Sequence, residues 1–427
     1  MVNKEIKVAL IGAGNRGQSY TNIMLGDKRF KVIAVAEPVE KEREYIRKNH
    51  DIDKSRCFKS WDELLSVPKF ADVVIISTVD SLHYAPAMKA IELGYNLLLE
   101  KPVAPTPHEC TDILHAAKRK GVKVLVCHVL RYAPLFVQIK NMIDSNKLGK
   151  VLSVHHIECV GNIHQSHSYV RGNWGNFEKS APMILTKSCH DMDIIQWLIG
   201  SKCTSVQSYG SLSYFMHENA PAGSPERCMD GCPHGESCPY NAKKLYLDDK
   251  DNLWFREAAT KDKEPSDESV SRALKETQYG KCVYKCDNDV VDHQVVNMEF
   301  ENSAVASFNM SAFNKGGRYI RIMGTKGELT GDSESGVIEY FSLTTGEHET
   351  IKTSDNLTDS ILDGHGGGDR GIVNALYKYL TDEYCETSLS EIEISVENHL
   401  IAFAAEQSRV DHSVIDLEDY KRKIGIM

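Results

Sequence analysis

Gly12-Ala13-Gly14-Asn15-Arg16-Gly17 is a G-x-G-x-x-G sequence that directly follows an apolar run, Lys7 to Gly12, and opens a segment with helical periodicity. The first glycine of such a loop permits a tight turn, the second lets backbone N–H groups approach a pyrophosphate, and the third packs the helix on the strand. The positive end of the helix favours the negative charge of the ligand. The pattern therefore predicts that a dinucleotide contacts Gly12, Gly14, Asn15, Arg16 and Gly17.

A carboxylate follows the second apolar run. Val32 to Ala36 ends at Glu37, 25 residues after Gly12, where the dinucleotide fold places an acid that binds the adenosine ribose hydroxyls. Strand, loop, helix, strand and acid occur in order, which favours this interpretation over a tight turn that binds nothing. Glu37 would repel a 2′-phosphate, so the sequence predicts NAD rather than NADP. Arg16 keeps NADP as the alternative, because its guanidinium could reach a phosphate.

The first 130 residues alternate short β-branched runs with amphipathic stretches. This rhythm predicts a parallel sheet with helices on both faces. Two helix starts carry capping boxes, Ser60-x-x-Glu63 and Thr106-Pro107-x-Glu109, and the second has proline at the first helical position. We therefore expect an α/β dinucleotide-binding domain over residues 1–130. Its strands are predicted at 7–12, 32–36, 73–77, 97–99 and 122–127.

The pattern changes after Gly149 to longer alternating runs, which predict a large, open, mainly antiparallel sheet in a second, α+β domain over residues 131–427. Its strands are predicted at 151–160, 204–216, 290–300, 304–311 and 319–323, and its helices at 187–199, 370–381 and 390–407. A polar, proline-containing stretch at about 217–286 predicts an insertion that stands off the sheet. Strands that leave one sheet face exposed suggest a homodimer or homotetramer.

Composition excludes several classes of protein. The 427 residues include 50 Lys+Arg and 60 Asp+Glu, a net charge of −10, which disfavours binding to nucleic acid or anionic membranes. The longest apolar stretches, such as 71–78 and 122–130, are far shorter than the roughly 20 residues that span a bilayer. We therefore expect a cytoplasmic protein with a small-molecule substrate.

Two further segments resemble the glucose–fructose oxidoreductase/inositol dehydrogenase/rhizopine catabolism (Gfo/Idh/MocA) family. They are Ser77 to His83 (STVDSLH) and Ala90 to Pro102 (AIELGYNLLLEKP). The resemblance implies a Rossmann domain followed by an open-sheet domain, and an NAD(P)-dependent enzyme that acts on sugars, inositols or related polyols. It also places further residues at the cofactor, namely Thr78, His83, Glu100, Lys101 and Arg131.

The resemblance assigns the chemistry to Lys101 and His190. A sugar hydroxyl is a very weak acid, so its oxidation needs a base and a cation that stabilises the developing alkoxide. The family's lysine of the Glu-Lys-Pro motif is that cation, and its proline, here Pro102, is often cis. His190 matches the family's proton acceptor, with Asp193 after it, although a core or capping histidine is the alternative. Many members carry an Asp where this chain has Thr186, beside Lys187.

Further side chains are candidates for a sugar site. Tyr169, Arg171 and Trp174 follow the first predicted strand of the second domain, and aromatic faces and guanidinium groups suit polyols. Packing roles are an equally open interpretation for each of them and for Arg131. The full predicted substrate set is Tyr169, Arg171, Trp174, Lys187 and Asp193.

The insertion groups five cysteines, as Cys228-x₃-Cys232-x₅-Cys238 and Cys282-x₃-Cys286. Closely spaced thiols in a reducing compartment favour a metal, and a tetrahedral zinc would hold together an insertion with little core of its own. The zinc ligands that we expect are Cys228, Cys232, Cys238 and Cys286. Unpaired thiols and disulfides are the alternatives.

Three functions follow from these features. The first is an NAD-dependent oxidoreductase that takes a hydride from a ring hydroxyl of a sugar, inositol or sugar derivative. The second is a redox-neutral glycoside hydrolase, which oxidises its substrate transiently, eliminates the aglycone, adds water and restores the cofactor. The third is a sensor that binds the dinucleotide without turnover, and the presence of both Lys101 and His190 argues against it.

Overall fold

Six strands form the first sheet of the structure, a computed structural model that describes residues 4–353, 365–383 and 389–426. They are β1 (Ile6–Ile11), β2 (Phe30–Ala36), β3 (Cys57–Phe58), β4 (Val73–Ile76), β5 (Asn96–Leu99) and β6 (Val124–Val126). Every neighbouring pair is parallel, in the order β3-β2-β1-β4-β5-β6. This confirms the predicted α/β class. The strand order reverses between β1 and β4, and such a point is where parallel sheets bind ligands.

Helices cover both faces of this sheet. They are α1 (Asn15–Leu25), α2 (Glu40–Asn49), α3 (Trp61–Leu65), α4 (Tyr84–Glu92) and α5 (Pro107–Lys120). Both predicted caps form, since Ser60 Oγ accepts a hydrogen bond from the N–H of Glu63 and Thr106 Oγ1 from that of Glu109. Alternate residues of β1 enter different apolar cores, with Leu10 on the side of α1 and Ile11 on the side of α4.

Nine strands form the second sheet. They are β7 (Val151–Cys159), β8 (Cys203–Ser211), β9 (His293–Phe300), β10 (Val305–Ser311), β11 (Gly317–Gly324), β12 (Gly327–Asp332), β13 (Val337–Ser342), β14 (His348–Lys352) and β15 (Ile415–Asp416). The order is β14-β13-β12-β11-β7-β10-β9-β8-β15, and only the pair of β7 and β10 is parallel among these strands. A mainly antiparallel sheet is thereby confirmed. Its outer face exposes Ile157 and Val305, and the homo-oligomer expected from it stays a prediction.

One predicted strand was too long. The run 204–216 alternates to its end, but β8 stops at Ser211 because the carboxylate of Asp292 accepts hydrogen bonds from the N–H groups of Ser213 and Tyr214. These contacts turn the chain away from the sheet, and β9 begins at His293, directly after Asp292. Asp292 is 79 residues from Ser213 and 78 residues from Tyr214 in sequence, so the local alternation could not reveal these contacts.

The second half also supplies helices. They are α6 (Pro134–Asp144), α7 (Asn162–Gln165), α8 (Met183–Thr186), α9 (Cys189–Ile199), α10 (Leu253–Thr260), α11 (Asp267–Glu276), α12 (Gly368–Leu380), α13 (Ile392–Asp411) and α14 (Leu417–Lys423). Helix α12 packs on the first sheet, where Ile372 and Leu376 share a core with Val8 and Leu10. Within the described ranges, no helix combines the length and apolar character that crossing a membrane requires.

The insertion at 217–286 contains α10 and α11 and has two small apolar cores. One is built around Tyr246, Phe255 and Leu274, and the other joins Tyr240 and Tyr284 of the insertion to Phe215 just before it. The insertion is thus better packed than its polar composition suggests, although each core is small. This packing places α10 beside the residues that follow β7, where Trp254 contacts His164 and His167.

Candidate active site

The glycine loop leaves open space at the start of α1. A Cβ atom on Gly12 would lie 2.7 Å from the carbonyl oxygen of Ser77, and one on Gly17 would lie 2.2 Å from that of Gly12, so close packing of the protein requires both glycines. A Cβ atom on Gly14 would meet nothing within 4 Å. The first turn of α1, which begins at Asn15, has no acidic residue. The loop therefore fits the pyrophosphate of a dinucleotide, which would lie over Gly14.

Glu37 lies beside this loop at the end of β2. The carboxylate accepts hydrogen bonds from the N–H of Ala13, at 2.8 Å, and from that of Val39, at 2.9 Å. Each contact uses one carboxylate oxygen, and an ionised carboxylate has about four lone-pair sites. Glu37 therefore retains acceptor capacity for ribose hydroxyls while the backbone fixes its orientation.

Arg16 turns toward carboxylates of the protein. Its Nε lies 2.9 Å from Glu100, and its two terminal nitrogens lie 2.8 and 2.7 Å from Asp369 of α12. The hydroxyl of Tyr20 is also 2.5 Å from the guanidinium. Burial alone would raise the pKa of Glu100, but Arg16 and Lys101 outweigh it and lower that pKa. Arg16 thus holds α1, the end of β5 and α12 together with all three of its nitrogens.

The turn that carries Lys101 is held from two sides. The Lys101–Pro102 peptide bond is cis. The buried ring of His83 lies between two carbonyl oxygens, 2.7 Å from that of Pro102 and 3.2 Å from that of Thr78. On the other side, Nε2 of His399 accepts a hydrogen bond of 3.0 Å from the N–H of Val103. Through these two contacts, the buried His83 ring joins the loop after β4 to the loop after β5.

Lys101 reaches the segment that carries His190. Its ammonium donates a 2.9 Å hydrogen bond to the carbonyl of Thr186, at the end of α8 and four residues before His190. Burial raises the pKa of the neighbouring Cys189 thiol to about 12, even though Lys101 lies close enough to oppose that shift. The structure therefore brings Lys101 to the end of α8, directly before the helix that carries His190.

His190 is 5% exposed and packs against a second histidine. Its ring centroid lies 5.7 Å from that of His128 in an edge-to-face contact, and His128 makes a similar contact with His399 at 5.5 Å. Burial lowers the pKa of His128 well below its usual range, and Arg131 and Lys101 lower it further. His128 is therefore neutral and adds no charge beside His190.

Arg131 and Asp193, expected at the cofactor and at the substrate, pair with each other. Two guanidinium nitrogens lie 2.6 and 2.7 Å from the two carboxylate oxygens, and both side chains are 1% exposed. Asn398 donates a further hydrogen bond of 2.7 Å to Asp193. The two charged groups form a buried ion pair, so neither side chain lies on an open surface where it could contact cofactor or substrate.

Lys187 belongs to a charged cluster that also contains Glu158 and Arg318. Its ammonium lies 3.1 Å from Glu158, and Nε of Arg318 lies 2.6 Å from Glu158 and 2.9 Å from Asp191. Burial would raise the pKa of Asp191, but Arg318 and His156 lower it to about 2. Sequence reasoning missed Glu158 and Arg318. The available signal was a charged residue at an inward-facing position of β7.

Aromatic rings form a row beside this cluster. Tyr169 stacks on Trp174 at 6.0 Å, and Nε1 of Trp174 donates a 3.0 Å hydrogen bond to Asp80, which follows β4. The row continues through His164, 6.1 Å from Tyr169, to Trp254 of the insertion at 5.2 Å from His164. The structure thus joins two predicted sugar-binding residues to Trp254, which sequence reasoning missed because it lies in the insertion.

The side chain of Arg171 packs against residues of the insertion and does not belong to this row. It is fully buried and donates hydrogen bonds to the carbonyls of Lys281, at 2.9 Å, and Tyr240, at 2.8 Å. The nitrogen that contacts Tyr240 also lies 3.6 Å from the Cys228 thiol. Arg171 was predicted to bind sugar because it is close in sequence to Tyr169 and Trp174. The chain turns between these residues, so the Arg171 side chain points away from the two rings.

The grouped cysteines surround Arg171. One small cavity is lined by Arg171, Cys228, Cys232, Cys238 and Cys282. Cys282 borders this cavity in place of Cys286, whose thiol donates to the carbonyl of Cys282 at 3.4 Å. The five thiols are free of disulfides. Among the described side chains, no three His, Cys, Asp or Glu groups are already arranged as ligands of a metal ion.

The chain is similar in sequence to known proteins. YteT of Bacillus subtilis (strain 168) is 26% identical over 77% of this chain and 80% of its own length. The 2,7-anhydro-N-acetylneuraminate hydratase of Mediterraneibacter gnavus is 26% identical over 48% of this chain, and the match spans only 53% of that enzyme.

Solved structures show the same fold. The oxidoreductase from Agrobacterium radiobacter, in complex with NAD+, L-tartaric acid and magnesium, has a TM-score of 0.70 and 13% identity, covering 98% of this chain and 100% of that one. Levoglucosan dehydrogenase, in complex with NADH and levoglucosan, has a TM-score of 0.69 and 18% identity, covering 97% of this chain and 100% of that one.

Family models decide the classification. The model described as oxidoreductase family, NAD-binding Rossmann fold, matches residues 6–128, and that family's C-terminal alpha/beta domain matches residues 140–408. The two models together span every strand of both sheets except β15. The chain therefore belongs to the Gfo/Idh/MocA family of NAD-binding oxidoreductases.

Proposed function

We propose that the protein catalyses NAD-dependent hydride transfer from a ring hydroxyl of a sugar, inositol or sugar derivative. The observation that carries the proposal is the contact between Lys101 and Thr186, which brings the only cation of the Glu-Lys-Pro motif to the start of the His190 helix. Relatives support the substrate class, because they include an inositol 2-dehydrogenase and, by fold, a levoglucosan dehydrogenase.

NAD, when bound, supplies the hydride acceptor. Lys101 then donates a hydrogen bond to the substrate oxygen and stabilises the negative charge that develops on it. His190 takes the hydroxyl proton as general base. Tyr169 and Trp174 offer ring faces to the sugar, and Lys187 offers an ammonium at the edge of the row. The buried, neutral His128 limits the positive charge around His190, which helps it to accept a proton.

Redox-neutral cleavage or hydration of a glycoside is the second candidate. The hydratase relative acts on an anhydro sugar, and Thr186 stands where many dehydrogenases of the family carry a carboxylate near the base. A base without that carboxylate is less biased toward holding a proton. The same first step, hydride transfer to NAD assisted by Lys101 and His190, would serve both reactions.

An assay with two readouts separates these functions. The protein is mixed with NAD or NADP and with free sugars, inositols and aryl glycosides, while absorbance of the reduced cofactor and aglycone release are both recorded. Accumulating NADH without aglycone supports the dehydrogenase. Aglycone release that needs NAD but leaves no net NADH supports the second candidate. Silence in both readouts favours the sensor, or a substrate that the panel does not contain.

NAD rather than NADP is our proposal for the cofactor. Glu37 places a carboxylate beside the loop, where a 2′-phosphate would meet a like charge. Arg16, which could have bound the 2′-phosphate of NADP, instead uses its three guanidinium nitrogens to contact Glu100 and Asp369. Activity in the assay should therefore be higher with NAD than with NADP.

The grouped cysteines, we further propose, bind one structural zinc. The support comes from Arg171, a fully buried cation with no described carboxylate at ion-pair distance and an Nη1 atom that bonds to no described acceptor. A buried charge without a counter-ion is costly. Zinc-bound thiolates of Cys228, Cys232, Cys238 and either Cys282 or Cys286 would supply the missing negative charge.

Elemental analysis tests this site. Protein produced without added metal should contain about one zinc per chain, since four thiolates complete a structural site. Cys228→Ser should lose most of that zinc, whereas Cys203→Ser, which changes a distant cysteine on β8, should retain it. Wild-type protein without zinc, or with iron and sulfide in its place, would contradict the proposal.

A further inference from the structure

The insertion touches the dinucleotide loop. The ammonium of Lys263, just after α10, contacts the side-chain oxygen of Asn15, the first residue of α1. The same ammonium lies 3.2 Å from a carboxylate oxygen of Glu257. The preceding residue, Asp262, forms an ion pair with Lys41 of α2. Two separate contacts therefore hold the turn at 261–263 against the first domain.

The start of α1 is an unfavourable place for the Lys263 ammonium when no anion is bound there. The N-terminus of a helix carries partial positive charge, so an ammonium beside it is repelled. No acidic residue stands in the first turn of α1 to offset that repulsion, and Glu257 offsets it only from the side of the insertion. An anion between Lys263 and the helix end would make the arrangement favourable.

Space for such an anion is present. The position over Gly14 is open, since a Cβ atom there would meet no atom within 4 Å. Lys263 keeps 29% of its side chain exposed, so it can move from Asn15 to a ligand without breaking a buried network. The pyrophosphate of a dinucleotide is the anion that this loop is built to hold.

We infer that Lys263 binds the cofactor pyrophosphate, so that the insertion closes over the dinucleotide from the side of the second domain. This assignment rests on the NAD cofactor of the proposed function. Lys263 is a cofactor-binding residue that the glycine pattern cannot reveal, because it lies 248 residues from Asn15 in sequence. It gives the insertion a role in cofactor retention.

Binding measurements with three ligands test this role. Calorimetric titrations of the full chain would use NAD, ADP-ribose and adenosine, with Lys263→Met compared with wild type. Lys261→Met is the matched control, since Lys261 is an exposed lysine of the same turn. We expect Lys263→Met to weaken NAD and ADP-ribose about tenfold, as loss of one charge-assisted hydrogen bond does. Adenosine, which has no phosphate, should bind all variants equally.

The outcomes are distinct. Equal NAD affinity of Lys263→Met and wild type would overturn the assignment while leaving the NAD-dependent function intact. Parallel loss of adenosine binding would also overturn it, because the substitution would then act through the loop's structure. Failure of the wild type to bind NAD at all would instead refute the proposed function. Raising the salt concentration should narrow the tenfold difference, since ions screen an exposed contact.

Discussion

Replacing Lys101 by Met should lower the rate of substrate oxidation by about a thousandfold, because the alkoxide that develops on the substrate loses its cation. Binding of NAD should change by less than about twofold, since the glycine loop and Glu37 hold the far end of the cofactor. Methionine preserves the length and apolar stem of the side chain. Initial rates with the best substrate of the assay panel, together with NAD titration by calorimetry, measure the two quantities.

A surface lysine provides the control. Lys89 lies on α4 with an exposed side chain that pairs with Glu92, and Lys89→Met should leave both quantities unchanged. A Lys101→Met rate within tenfold of wild type would remove Lys101 from the chemistry. If NAD affinity fell in proportion to the rate, the contact with Thr186 would be holding the cofactor site together, and Lys101 would be a structural residue.

Local rules explain which parts of this molecule the sequence could predict. The glycine loop follows a fixed spacing within one turn of the chain, and the caps at Ser60 and Thr106 depend on a residue three positions away. The inward positions of the strands follow from alternation, which needs no knowledge of the partner strand. Parallel and antiparallel classes could therefore be assigned before any contact was known.

The placement of charged side chains could not be predicted in the same way. Arg16 meets a carboxylate 353 residues away, and Lys101 meets a carbonyl 85 residues away. A charged residue in a motif suggests a ligand contact, yet Arg131 pairs with Asp193 and Arg171 donates to backbone carbonyls. Only the packing of α12, α13 and the insertion decides whether such a guanidinium faces a ligand or a protein group.

The buried pair of Arg131 and Asp193 gives the largest expected effect on stability. Asp193→Ala should lower the free energy of unfolding by about 3–5 kcal/mol, because Arg131 would keep a buried charge without its carboxylate. Asn398 would also lose the acceptor of its 2.7 Å hydrogen bond. Urea unfolding followed by circular dichroism measures the loss. Asp419→Ala, which removes an exposed partner of Arg422, should cost less than about 1 kcal/mol.

A double variant distinguishes the stability contributed by the ion pair from the cost of leaving one buried charge unpaired. Arg131→Met combined with Asp193→Leu removes both charges and retains apolar volume, so it should destabilise less than the sum of the two single changes. Binding adds a second criterion. If Asp193 contacted substrate, the folded single variant would show a raised KM, whereas a residue behind the site leaves KM nearly unchanged. A loss of stability below about 1 kcal/mol with a raised KM would return Asp193 to the substrate site.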